Sequence, residues 1–327
     1  MILIFTESLS TTGLGHLGRC TALAEILIES GNKVEIILHS DGTDLGGETK
    51  IPIEVINWKN ENDLNEICNR KKPKLIIVDS YLADTKNYAE ISSKVSKLIC
   101  VDDMQRIEYP KDAIILNPGF GGRFIDYDNS RHKIFTGPGY ALLRKPFRES
   151  IEYQPIRTNI ERVLITVGGD DKKNIVPQIL SIVNTEFYNW RKEVIVGPSF
   201  KNLEKIKQNS DSNTFLHQGL SALEIRDLML DVDIAITAGG QTTYELAKCG
   251  IPMIVMEIVE NQRKNIQGFM SENLAFLINL DNMKQFPFLL KENLNFLSLR
   301  ENRFDYRNRL VNFFSQFNSV SLYDSII

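Results

Sequence analysis

Short apolar, β-rich runs alternate along the chain with segments whose apolar positions recur at helical spacing. Ile2-Leu3-Ile4-Phe5 reads as a strand, and beyond a glycine-bearing turn Cys20-Thr21-Ala22-Leu23-Ala24-Glu25-Ile26-Leu27 has the periodicity of a helix. Lys33-Val34-Glu35-Ile36-Ile37-Leu38 and Pro52-Ile53-Glu54-Val55-Ile56 follow as strands, and residues 63–68 as a helix. Residues 74–79, 97–101 and 113–116 are further apolar runs, with a helix across 84–94. These runs close on polar residues: Asp79-Ser80-Tyr81, Asp102-Asp103 and Asn117-Pro118-Gly119. Strands alternating with helices predict a parallel sheet covered on both faces, and such sheets bind ligands just past the carboxyl ends of their strands. Asp79, Tyr81, Asp102, Asp103 and Asn117 are therefore expected on the edge that carries His16.

From about 120 to 160 periodicity weakens, and Gly121-Gly122-Arg123, Gly137-Pro138-Gly139-Tyr140 and Arg144-Lys145-Pro146-Phe147 mix turn formers with charge, as a bridge between two halves would. The alternation then restarts with strands at 163–167, 193–196 and 213–216 and helices at 175–183 and 221–229; Ser221 and Glu224 have capping-box spacing. A strand over 232–238 runs into Gly239-Gly240-Gln241-Thr242 and a helix start, a strand follows at 252–257, and Glu260-Asn261-Gln262 precedes another helix. The remainder reads as an amphipathic close with Phe304, Tyr306, Leu310, Phe313, Phe314 and Phe317 as apolar anchors. This places one domain over 1–150 and a second over 151–327, the latter ending in a helical segment.

Composition narrows the classes of function. A length of 327 residues with 43% hydrophobic and 24% charged residues suits two globular domains. The net charge of −4 supplies no global basic field for nucleic acid or an anionic membrane, so an anionic ligand has to be held locally. Cys20, Cys68, Cys100 and Cys249 are widely spaced in apolar segments, which points to reduced, buried thiols and a cytoplasmic protein. A strand-like run opens the chain and no membrane-length apolar stretch occurs, so neither a signal peptide nor membrane insertion is expected. The neighbours Asp102 and Asp103 point to opposite faces of an extended chain, with no histidine or third carboxylate at ligand spacing; no metal is expected.

Two turns carry the candidate chemistry. In Thr12-Gly13-Leu14-Gly15-His16-Leu17-Gly18-Arg19, Gly13 and Gly15 allow close backbone approach, and a helix beginning near His16 offers unpaired N–H groups to an anion. The imidazole of His16 at that turn is a candidate proton acceptor; a helix cap or a packed side chain is the plainer account. Asp79 and Asp103 read equally as site residues or as caps of the next helix. In the second turn, backbone N–H groups with Thr242 or Thr243 could hold a diphosphate, and Glu245 could accept both hydroxyls of a ribose, unless it is simply a solvated helix residue.

These segments together resemble the UDP-sugar hydrolases of pseudaminic acid biosynthesis (PseG) and the related SpsG-type spore-coat polysaccharide proteins. The resemblance rests on Gly13-Leu14-Gly15-His16-Leu17-Gly18-Arg19-Cys20, Val78-Asp79-Ser80-Tyr81, Val101-Asp102-Asp103, Gly139-Tyr140-Ala141-Leu142-Leu143-Arg144, Val167-Gly168-Gly169-Asp170-Asp171, Gly239 through Glu245, and Glu260-Asn261-Gln262. It implies an α/β, GT-B-like fold of two Rossmann-like, doubly wound domains facing a central cleft. It further implies UDP-2,4-diacetamido-2,4,6-trideoxy-altrose as substrate, cleaved at the C1–O bond with inversion, without metal or cofactor. His16, Tyr81 and Asp79 would be the catalytic set. Gly13, Gly15, Arg19, Asn117, Tyr140, Gly239, Gly240, Gln241, Thr242, Glu245, Asn261 and Gln262 would contact substrate, with other enzymes of the pathway as partners. Ser80 departs from the family, which often has histidine there, and this bears on which sugar is taken. A GT-B glycosyltransferase and a non-catalytic nucleotide-sugar-binding subunit are the rival readings.

Overall fold

The computed structural model describes residues 1–9, 15–42 and 50–317, together with Tyr323 and Ile326. The described residues form two compact units: Met1–Lys145 with Tyr323 and Ile326, and Pro146–Phe317.

In the first unit the elements run β1 (Ile2–Ser8), α1 (Gly15–Glu29), β2 (Val34–Ser40), β3 (Ile53–Val55), α2 (Glu61–Lys71), β4 (Leu75–Asp79), α3 (Thr85–Lys94), β5 (Leu98–Val101), β6 (Ile114–Asn117) and β7 (Lys133–Thr136). They build a seven-stranded sheet in the order β3-β2-β1-β4-β5-β6-β7, every pair parallel. Alternation along β1 explains the two-sided core. Ile2 and Ile4 join Leu17, Leu23 and Leu27 of α1, while Leu3 and Phe5 join Ile67 of α2 and Ile91 of α3. Tyr323 and Ile326 complete the core on the α1 side. Asn60 caps α2 and Asp84 caps α3 in a capping box. Asp79 is thus free of the capping role that its position after a strand suggested.

Residues 133–136, read from the sequence as part of a bridge, are the edge strand β7 instead. Four residues among glycines and prolines are too few for a period of two to register.

The second unit begins within the one-turn helix α4 (Lys145–Arg148) and runs β8 (Arg162–Thr166), α5 (Val176–Glu186), β9 (Arg191–Ile195), α6 (Leu203–Gln208), β10 (Thr214–His217), α7 (Ala222–Leu230), β11 (Ile234–Ala238), α8 (Thr242–Lys248), β12 (Met253–Met256), α9 (Arg263–Ser271), β13 (Phe276–Ile278), α10 (Phe286–Ser298) and α11 (Arg300–Ser315). Its six strands are parallel in the order β10-β9-β8-β11-β12-β13. The Ser221–Glu224 capping box forms at the start of α7. Among the apolar anchors expected near the end, Leu310 and Phe314 are buried, but Phe304 is 50% exposed because it lies on the outer face of α11. Both sheets reverse strand order between their first and fourth strands, the point at which sheets of this kind open a crevice for ligands.

Candidate functional site

At the reversal point of the first sheet, β1 leads toward α1, and β4 ends beside it on Asp79. His16 lies in the first turn of α1, 5% exposed, and its Nδ1 is 2.7 Å from Oδ1 of the fully buried Asp79. Arg19, one turn further on, donates from Nε and Nη2 to the two oxygens of Asp79, each at 2.6 Å. Its Nη1 reaches both oxygens of Asp103, at 2.9 and 2.7 Å. Cys20 adds a weak thiol donor, 3.4 Å from Asp79 Oδ2. With four donors the carboxylate of Asp79 is filled.

The electrostatics follow from this crowding. Burial opposes ionisation of Asp79, but the charge of Arg19 and the contact with His16 outweigh it and hold the carboxyl well below the usual range. Burial likewise opposes the charge of Arg19, yet Asp103 and Asp79 hold its pKa well above normal. The thiol of Cys20 is pushed up by burial and by Asp79, and stays protonated. An ionised Asp79 can only accept, so Nδ1 of His16 carries the proton and donates. Whenever the ring carries a single proton, Nε2 is therefore its acceptor nitrogen. Arg19 Nη2, 3.3 Å from the same Nδ1, therefore faces a protonated nitrogen and makes no hydrogen bond to it.

Tyr81 stands edge-on to His16 with ring centroids 4.3 Å apart, and its hydroxyl donates to Asp103 Oδ2 at 2.6 Å. Gly15 and Gly18 are exposed on α1, where an added Cβ would meet nothing within 4 Å; no acidic residue occupies that first turn. A ligand anion can thus approach the helix start. Gly13 lies outside the described residues.

Asp102 and Asn117 join a different network. Asp102 accepts from Tyr109 at 2.8 Å, from the Gln105 N–H at 2.7 Å and from Tyr127, whose oxygen in turn accepts from Asn117 at 3.1 Å. Burial and Asp102 push the hydroxyls of Tyr109 and Tyr127 far up, so both stay protonated. Tyr140 packs edge-on against Tyr323 and Phe135, and its carbonyl accepts from the Tyr323 hydroxyl at 2.6 Å.

The reversal point of the second sheet is made of small and neutral groups. Gly239 follows β11 so closely under α9 that an added Cβ would lie 2.3 Å from Ile266 Cγ1; at Gly240 the nearest atom is Gln262 Nε2 at 3.7 Å. Gln241 occupies the cap position of α8 and Thr242 its first turn. Thr243 donates to the Gly240 carbonyl at 2.6 Å, and Asn265 donates to the Gly239 carbonyl at 2.8 Å while accepting from Tyr244. Gln262 Oε1 accepts the Ile258 N–H at 2.9 Å and so ties down the turn after β12; Asn261 beside it is exposed. Glu245 is only 3% exposed, which sets aside the solvated-helix account of it. Across the sheet, Gly168 adopts a φ of +87°, and Asp171 accepts the N–H groups of Ile175 and Val176 at the start of α5. Glu7, Asn265 and Tyr127 were not singled out from the sequence. A carboxylate at the end of an apolar strand was the one available signal, in Glu7.

The chain has the GT-B fold, two doubly wound parallel α/β units in succession. The solved structure of MurG from Acinetobacter baumannii matches it with a TM-score of 0.65, covering 100% of this chain and 99% of that one at 14% identity. In sequence the chain is similar to PseG- and SpsG-type proteins. It is 26% identical over 262 residues to the Helicobacter pylori pseudaminic acid cytidylyltransferase and UDP-2,4-diacetamido-2,4,6-trideoxy-beta-L-altropyranose hydrolase, covering 79% of this chain and 44% of that protein. The match therefore spans less than half of that relative's length. It is 23% identical to the spore coat polysaccharide biosynthesis protein SpsG of Bacillus subtilis, covering 85% of this chain and 83% of that one. No family model matches the chain. Among the described residues, no group of three or more His, Cys, Asp or Glu is placed to hold a metal, and no helix is long and apolar enough to cross a membrane. All four cysteines are buried and unpaired.

Proposed function

We propose that this protein is a cytoplasmic nucleotide-sugar hydrolase that releases UDP from UDP-2,4-diacetamido-2,4,6-trideoxy-altrose or a close amino-sugar analogue. The observation that carries the reading is the 2.7 Å contact between His16 Nδ1 and Asp79, which leaves Nε2 as a base. Nε2 takes a proton from water as the water oxygen bonds to C1; the C1–O bond breaks and its electron pair leaves on the diphosphate, inverting C1. UDP is a good leaving group, so a strong protein acid is unnecessary. The name of the Helicobacter pylori relative supports this substrate; Ser80, where the family often has histidine, is buried with its hydroxyl bonded to Glu7, so any bearing on the sugar is through the turn that carries Tyr81.

On this reading residues 1–150 supply the base and the sugar contacts, with Tyr81, Arg19 and Tyr140 around the sugar and Gly13 and Gly15 allowing its approach, while the buried Asn117 is bonded to Tyr127 instead. Residues 151–327 hold UDP: Gly239, Gly240, Gln241 and Thr242 face the diphosphate, Glu245 takes the ribose hydroxyls, and Asn261 and Gln262 flank them. A second reading is a glycosyltransferase, because the same imidazole could deprotonate an acceptor hydroxyl as readily as water.

Incubation with the UDP-sugar in water enriched in oxygen-18, with no acceptor and no metal, separates the two. Release of UDP with the label in the free sugar, abolished in His16→Ala, supports hydrolysis. Tight UDP binding with turnover only after an acceptor is added would move the assignment to a transferase.

A further inference from the structure

A second buried carboxylate lies beneath the same turn, on the other side of the sheet. Glu7 is the penultimate residue of β1 and is wholly buried. Thr6 is in register with Asp79, so Glu7 lies level with Ser80. Side chains alternate across a strand, and the two carboxylates leave the sheet on opposite faces: Asp79 toward α1, Glu7 toward the side of Leu3 and Phe5. Glu7 Oε1 accepts the Tyr81 N–H at 2.9 Å, and Oε2 accepts the Ser80 hydroxyl. Ser80 Oγ accepts in turn the N–H groups of Leu82 and Ala83, at 3.0 and 2.9 Å. These donors of the turn lead back to Glu7, while the carbonyls of Ser80 and Ala83 accept from Arg106. Tyr81 is then held at both ends, its backbone by Glu7 and its hydroxyl by Asp103, with its ring against the imidazole of His16.

We infer that Glu7 is a positioning residue: it fixes the Ser80-Tyr81 turn so that the Tyr81 ring holds the imidazole of His16 in place. A carboxylate is required because both of its partners are donors. Glutamine offers one acceptor and one donor, so either the Tyr81 N–H or the Ser80 hydroxyl loses its partner. Serine suits position 80 for the same reason, since one small hydroxyl both donates to Glu7 and accepts the next two N–H groups.

The test reads the ring contact directly and then the kinetics. With four histidines in the chain, the His16 ring protons can be assigned by proton NMR through their loss in His16→Ala. Tyr81→Leu defines the shift of those protons that the aromatic ring causes. In Glu7→Gln the His16 resonances should move at least half of the way to their positions in Tyr81→Leu, and Ser80→Ala should move them part of the way. Unchanged His16 resonances in folded Glu7→Gln overturn the inference; if that variant does not fold, unchanged resonances in Ser80→Ala overturn it equally. The kinetic consequence rests on the proposed role of His16: kcat for UDP release should fall about tenfold in Glu7→Gln with KM within twofold. It should fall no further when Glu7→Gln is added to Tyr81→Leu, whereas additive losses would mean that Glu7 does not act through Tyr81. Should the His16 resonances move while the parent protein releases no UDP, the positioning role stands and the hydrolase reading falls.

Discussion

The two units reverse strand order at equivalent places yet fill those places with opposite chemistry. The first gathers ionic side chains that satisfy one another: His16, Arg19, Asp79 and Asp103, with Tyr81 against them. The second is nearly bare, with Gly239 and Gly240 backed by the neutral side chains of Thr243, Asn265 and Gln262. A closed ionic network fixes the tautomer and direction of one imidazole, and each member depends on the others. A turn of glycines and amides carries no such network: the Gly239 N–H is given to the Met256 carbonyl at 3.0 Å, and change is tolerated only where space remains. One topology thus carries an ionic turn in one unit and a neutral turn in the other, and the difference lies in which side chains the turn brings along.

The largest effect that would sharpen this contrast is expected from His16→Ala. UDP release should fall about 1,000-fold while UDP affinity changes by less than twofold; activity within tenfold of the parent would remove His16 from the chemistry. Next comes Asp79→Asn, which leaves Arg19 and His16 without their buried partner and should cost about 3 kcal/mol of stability by urea titration at neutral pH. Because the folded-state pKa of Asp79 is lowered, its contribution is complete above about pH 4 and is lost as the pH falls through the folded-state value. The gap between parent and variant should therefore close in acid, and a gap independent of pH would mean that packing, not charge, is at stake.

In the second unit Gly239→Ala should cost about 2 kcal/mol, because its Cβ would meet the buried Ile266, while Gly240→Ala should stay within about 0.5 kcal/mol. Equal thermal midpoints for the two variants would refute the close-approach argument. The smallest effect is expected from Glu245→Gln: roughly tenfold weaker UDP binding by calorimetry, with 2′,3′-dideoxy-UDP bound alike by parent and variant. A loss that persists with the deoxy ligand would take Glu245 away from the ribose.

Much of this architecture is legible in the chain because each strand is a short apolar run closing on polar residues. His16 and Gly239-Gly240 stood out because a glycine turn between a strand and a helix has a physical purpose in itself. What escaped was whatever depends on distant partners. Arg19 meets Asp79 and Asp103 from 60 and 84 residues away, and its local sequence shows only an arginine on a helix. Glu7 reads locally as an ordinary carboxylate, and Glu245 as either a ribose acceptor or a solvated helix residue; the burial of both is set by elements that pack over them. Asn117 shares the sheet edge with Asp79, as its place after a strand suggested, but Tyr127 decides where its side chain goes.

The burial of Tyr323 and Ile326 beside Leu17 and Cys20 also orders events in time. A ribosome makes residues 1–145, then the whole of the second unit, and only after that these two side chains. At roughly 5–20 residues per second, the core behind α1 waits on the order of 10–35 s for its final pieces. A nascent chain stalled anywhere in between would expose that unfilled core to chaperones and proteases, so the helix that carries His16 gains its full support only once the second unit has been made.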